Sequence, residues 1–143
     1  MAVLADLRWR LQTDDTDDID NGAKAVFVAD FAAAPVNRDP LTTHFVAECD
    51  GAVAGAMTVR KVEKIPAPGR LCAFWGYLTN CYVLPQNRGG GVGAALLDFV
   101  TAWARAEALE LLTVWPSDRA YPFYERASFA RHADPLVLKL TGD

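Results

Sequence analysis

The chain is poor in the groups that build cross-linked or metal-held frameworks, with three cysteines and two histidines among 143 residues. Cys49, Cys72 and Cys81 are odd in number and show no C-x-x-C spacing. Neither a disulfide scaffold nor a zinc or other metal site is expected; reduced thiols in a cytoplasmic protein are. No stretch approaches the ~20 apolar residues of a membrane span, because the best one, "AVFVADFAAAPV", is broken by Asp30 and ended by Pro35. No basic region followed by an apolar core opens the chain, so no export signal is expected. Lys and Arg never cluster and the net charge is -4, which argues against direct nucleic-acid binding.

What is present is enough apolar material, 52% of residues, for one domain over 1–143. Charge is uneven: residues 1–50 hold ten acidic and four basic side chains, and the remainder eight and ten. "ADLRWRLQ" fits a short helix, and Asp20 can cap a second one with Ala23, Val26, Phe27, Phe31 and Ala34 on its apolar face before Pro35 stops it. Asp50-Gly51 joins two strand-like runs, the strongest short hairpin signal. "LCAFWGYLTNCYV" reads as a long strand. Val92, Leu96, Phe99, Val100, Trp103 and Ala106 then recur at helical spacing. "LLTVW" reads as a buried strand, "SDRAYPFYERA" as a short helix, and "SFARH" and "LVLKL" as two further strands.

Between strand and helix lies "VLPQNRGGGVGA", with four glycines in five positions. Glycines there let another molecule approach main-chain N–H groups at the positive end of a helix dipole, a setting for phosphate. A P-loop would need Lys and Ser or Thr after the last glycine, where Ala94 and Ala95 stand. A dinucleotide fingerprint is formally present as Gly89-x-Gly91-x-x-Ala94, but strands precede it and too little chain follows for more βα units. Coenzyme A is the third candidate.

The run Arg88-Gly89-Gly90-Gly91-Val92-Gly93, with Ala94, resembles the R/Q-x-x-G-x-G/A signature of the GNAT superfamily of N-acetyltransferases. About thirty residues later, "SDRAYPFYERASF" resembles that superfamily's second motif, through Ala120, Tyr124 and Phe129. The resemblance implies an α/β (α+β) acyl-CoA N-acyltransferase fold. Its mixed, mostly antiparallel sheet would carry helices on both faces, with the family's first strand missing or shortened to "AVL". It also implies acetyl-CoA as co-substrate. Main-chain groups of Cys81 and Val83 would meet the pantetheine arm, and N–H groups from Arg88 through Gly89, Gly90, Gly91, Val92 and Gly93 to Ala94 the pyrophosphate. Tyr124 would donate to the departing thiolate. Asn80 stands where many members carry an acid, Ser117 where an asparagine often helps bind coenzyme A, and Ser128 where glycine closes the short helix. Asn80 can orient a water but cannot act as a base.

Plainer readings accompany these. Tyr124 also fits a half-buried core tyrosine, Cys81 a buried inert thiol, and His44 and His132 structural histidines. The expected activity is direct acetyl transfer to a primary amine of a small molecule or peptide, by a monomer or homodimer. The competing expectation is an acyl-CoA-binding module without catalysis, since Asn80 replaces the acid. Asp14, Asp15, Asp17, Asp18 and Asp20, in the region that borders the acceptor site in similar proteins, suggest a cationic acceptor.

Overall fold

The computed structural model describes residues 1–13, 21–131 and 135–142. Asp50 and Gly51 both take positive φ, 52° and 80°. That is the signature of a type I′ turn, whose twist matches that of the strands it joins. It connects β1 (Thr42–Cys49) to β2 (Ala52–Glu63). β3 (Phe74–Val83) pairs antiparallel with β2, and β4 (Leu112–Val114) returns parallel to β3, giving one sheet in the order β1-β2-β3-β4.

Helices cover both faces. Met57 and Val59 point to one side, where Phe45, Leu78 and the Leu96, Leu97 and Val100 stripe of α3 (Val92–Ala106) close a core with Tyr124 of α4 (Tyr121–Arg126). Ala56 points to the other side and packs with Tyr82 against Leu4 and Leu7 of α1 (Ala2–Gln12). α2 (Asn21–Ala33) leans on α1 through the mutually tilted rings of Trp9, Phe27 and Phe31 and through the Asp6–Lys24 ion pair.

Among the described residues no strand precedes β1, in keeping with the expected missing first strand, and "AVL" is the first turn of α1. Three expectations change. On α2 the covered side is rotated, leaving Val26 62% exposed while Val28 and Lys24 turn inward. On α3, Phe99 is 65% exposed and Leu97 takes the core position. Neither 128–131 nor 135–142 forms a strand, and Leu136, Leu138 and Leu140 are exposed. Their β propensity is real, but propensity makes a strand only where an edge is there to receive it.

Candidate active site

The site begins with a fault in β3. Ala56 opposes Tyr82 while Thr58 opposes Thr79, so Met57 faces both Asn80 and Cys81. One extra residue in one strand is a β-bulge, and Asn80 sits in it at φ 54°. Asparagine is one of the few non-glycine residues that tolerate this left-handed geometry. In a regular strand Leu78 and Tyr82, four apart, would share a face. Here Leu78 enters the α3 core and Tyr82 the α1 core.

β3 and β4 then part company. Their pairing covers Gly76 to Leu78 against Leu112 to Val114 and ends there. Beyond it, Thr79–Cys81 and Val114–Ser117 line a cleft of about 340 Å³, with Ala120 and Tyr124 on α4's side and Arg8 on α1's. A second cleft of about 430 Å³ lies over β1 and β2, lined among others by Asn37, His44, Thr58 and Arg60. The two share Arg8, Tyr77, Thr79 and Asn80. The bulge therefore stands where they join.

Tyr124 is buried, and its hydroxyl lies against the Cys81 thiol. Burial, and then the neighbouring sulfur, raises its pKa well above the usual 10, so it keeps its proton. Burial likewise pushes the Cys81 thiol up to about 11, only partly offset by Tyr124. A thiol in that state is no nucleophile at neutral pH, and Cys81 donates weakly to the Thr79 carbonyl at 3.6 Å.

The glycine loop lies at the foot of the same strand. Gly89 and Gly91 take φ of 82° and 85°. A Cβ on Gly93 would meet the Phe123 ring at 3.3 Å and Val83 at 3.5 Å, so α4 rests on the start of α3 through this residue. Gly90 needs neither excuse: nothing lies within 4 Å of its Cβ position and its φ is ordinary. The Ala95 N–H bonds the Gly91 carbonyl at 2.9 Å, so the N–H groups of Val92, Gly93 and Ala94 before it have no partner inside the helix. Arg88 turns back, its Nε donating to the Val83 carbonyl at 2.8 Å and its guanidinium lying over the Tyr82 ring. That carbonyl is thus already engaged.

His44 is not the isolated histidine its sequence context suggests. Its Nδ1 is 2.8 Å from Thr58 Oγ1, and Asn80 Nδ2 donates to the same oxygen at 3.5 Å. The cross-strand pairing of His44 with Thr58 is visible only once the hairpin register is known. The acidic cluster from Asp14 to Asp20, and His132, lie outside the described residues. Among the described residues no group of His, Cys, Asp and Glu could hold a metal, and no helix is long and apolar enough to cross a membrane.

A mixed sheet that splits beside a glycine-rich strand-to-helix loop is the architecture of an acyl-CoA-dependent N-acyltransferase. The Acetyltransferase (GNAT) family pattern matches residues 4–129, and the chain belongs to that family. It is 26% identical over 100 residues to a glucosamine 6-phosphate N-acetyltransferase of Trypanosoma brucei brucei, across 70% of this chain and 66% of that protein. Among solved structures it is similar to a predicted acetyltransferase of Clostridium acetobutylicum, determined with acetyl-CoA. That match has a TM-score of 0.72 and 22% identity, over 97% of this chain and 89% of the other. It is also similar to the glucosamine-6-phosphate N-acetyltransferase of Arabidopsis thaliana, at TM-score 0.67 and 15% identity, over 96% and 88%.

Proposed function

We propose that this protein transfers the acetyl group of acetyl-CoA directly to a primary amine, without an acyl-enzyme intermediate. The observation that carries this reading is the split between β3 and β4, with a protonated Tyr124 on its wall and the open glycine loop at the foot of the same strand. Bound acetyl-CoA supplies an activated thioester. The N–H groups of the loop and of the first turn of α3, with Gly90 leaving room, suit the pyrophosphate. Main-chain groups of Cys81 on the unpaired edge of β3, and Ser117 across the cleft, suit the pantetheine arm. A carbon–nitrogen bond forms, the carbon–sulfur bond breaks, and one amine proton must leave to solvent while the thiolate is stabilised. Because the Tyr124 hydroxyl holds its proton more tightly than a thiol does, its part is to donate a hydrogen bond to the sulfur, not to give up the proton. Tyr124→Phe should therefore lower kcat about 10²-fold while calorimetry finds acetyl-CoA affinity near that of the parent.

A second observation concerns the acceptor. Arg8 lines both clefts and makes no ion pair among the described residues, and no carboxylate lines either cleft there. An amine that also bears a phosphate or carboxylate suits those walls, in line with the acceptor in the name of the trypanosomal relative. The acidic segment 14–20 argues the other way, for a cationic acceptor. Thiol release from acetyl-CoA, measured with glucosamine 6-phosphate, a polyamine and a lysine peptide, separates the two. Tight cofactor binding with no thiol release for any amine would instead support the non-catalytic acyl-CoA-binding module.

A further inference from the structure

Two buried polar atoms at the junction of the clefts lack hydrogen-bond partners among the described residues: Asn80 Oδ1 and His44 Nε2. Asn80 is only 8% exposed, lines both clefts, and is held by a single hydrogen bond, the one its Nδ2 donates to Thr58 Oγ1. An unpaired buried carbonyl oxygen is costly unless something in the working state meets it.

The direction of the network follows from its Asn80 end. Thr58 Oγ1 accepts from Asn80 Nδ2, which turns its own proton toward His44 Nδ1 and leaves the ring proton on Nε2. The amide thus keeps its NH₂ turned inward. Oδ1 is left as the unpaired atom of an amide that stands at the junction of the two clefts.

We propose that His44 and Thr58 are positioning residues that hold the Asn80 amide with Oδ1 presented to an N–H of the acceptor amine. This rests on the acetyl-transfer reading above. The contact would aim the nitrogen lone pair at the thioester carbon, which is what an amide can do where a carboxylate base is lacking. It also ties turnover to the protonation of His44. A proton on Nδ1 would demand an acceptor from Thr58, release the hydroxyl proton toward Asn80, and favour the turned amide with NH₂ facing the amine. The titratable or charged groups lining the second cleft with His44 are Arg8 of α1, Arg60 of β2 and Tyr77 of β3. Arg60 is bound to Asp39 and Thr42.

The test compares Thr58→Val, which keeps the shape and loses the hydroxyl, with Thr58→Ser, which keeps the hydroxyl. Expected for Thr58→Val is a fall in kcat of roughly 10- to 10²-fold with KM for acetyl-CoA unchanged, and Thr58→Ser should recover most of it. The kcat of the parent should fall as pH drops below about 6.5, and Thr58→Val should lose that limb. A purely structural network would lower the melting temperature of Thr58→Val and leave kcat and its pH profile like the parent's, which would overturn the proposal. If the parent turned over no amine at all, the transfer reading itself would fail. The network is then read by NMR: the Asn80 side-chain amide resonances should titrate with His44 in the parent and not in Thr58→Val, and insensitivity in the parent sinks it.

Discussion

Gly90 is the glycine that the fold does not need. Gly89 and Gly91 are required by their positive φ, and Gly93 by the Phe123 ring against it. Substituting Gly91 or Gly93 therefore disturbs the protein as well as the ligand. Gly90→Ala adds a methyl group to open space, so the melting temperature should hold while acetyl-CoA affinity falls about tenfold or more, by calorimetry; one such loss is ~1.4 kcal/mol. Unchanged affinity would remove the loop from the cofactor site. Ala108 is the opposite case: exposed, just past α3, at φ 56°, where helices usually place glycine. Ala108→Gly should stabilise by ~1 kcal/mol and raise Tm by a few degrees. The loop was legible in the sequence because glycines cluster there for a reason; the separate reason for each became visible only from φ and from neighbours distant in sequence.

At the scale of elements, signals carried by adjacent residues are legible in the sequence, and those that depend on a distant partner are not. Asp50-Gly51 announces its hairpin because two residues alone dictate the turn. The α3 stripe announces a helix, though its inward face shifts by one position to Leu97. "SFARH" and "LVLKL" carry strand propensity, yet only the three residues of β4 stand at that edge of the sheet. The bulge at Asn80 was hidden inside "LTNCYV", where nothing but the tolerance of asparagine for positive φ marks it. That bulge sets up a trade-off. Asn80→Gly relieves the left-handed strain and removes the amide, so thermal unfolding should show stability equal to or above the parent's while kcat falls. A variant both less stable and fully active would contradict this account of the bulge. In α3, Leu97→Ala should cost about 2–5 kcal/mol by urea unfolding, because Leu97 is fully buried.

The whole molecule responds to acid in two stages. Burial, with a smaller push from the N-terminal ammonium, holds the His44 pKa below 6.5 despite the Asn37 carbonyl. Folding thus favours neutral His44, a contribution fully present above about 6.5 and lost as pH falls through the folded-state value. Asp39, held down by the Leu41 N–H and Arg60, and Glu110, held down by Lys64, add a second loss below about 4. Urea midpoints should therefore decline first as pH falls below about 6.5 and again below about 4, with His44→Gln flattening only the first step. The apolar content and the order of elements made the sheet and its two covered faces readable in advance, whereas the His44–Thr58–Asn80 line joins three strands that only tertiary pairing brings together.

The short union of β3 and β4 has a consequence for how the protein breathes. Three residue pairs hold β4, against the much longer ladder between β1 and β2. The free energy of local opening is least where few main-chain bonds and little packing resist it. The amides of Thr113 and Val114 should therefore take up deuterium well before those of Ala56 to Val59. A cofactor lying in the split would have to slow that uptake, so exchange at two backbone positions reports occupancy of the site with no chemistry taking place.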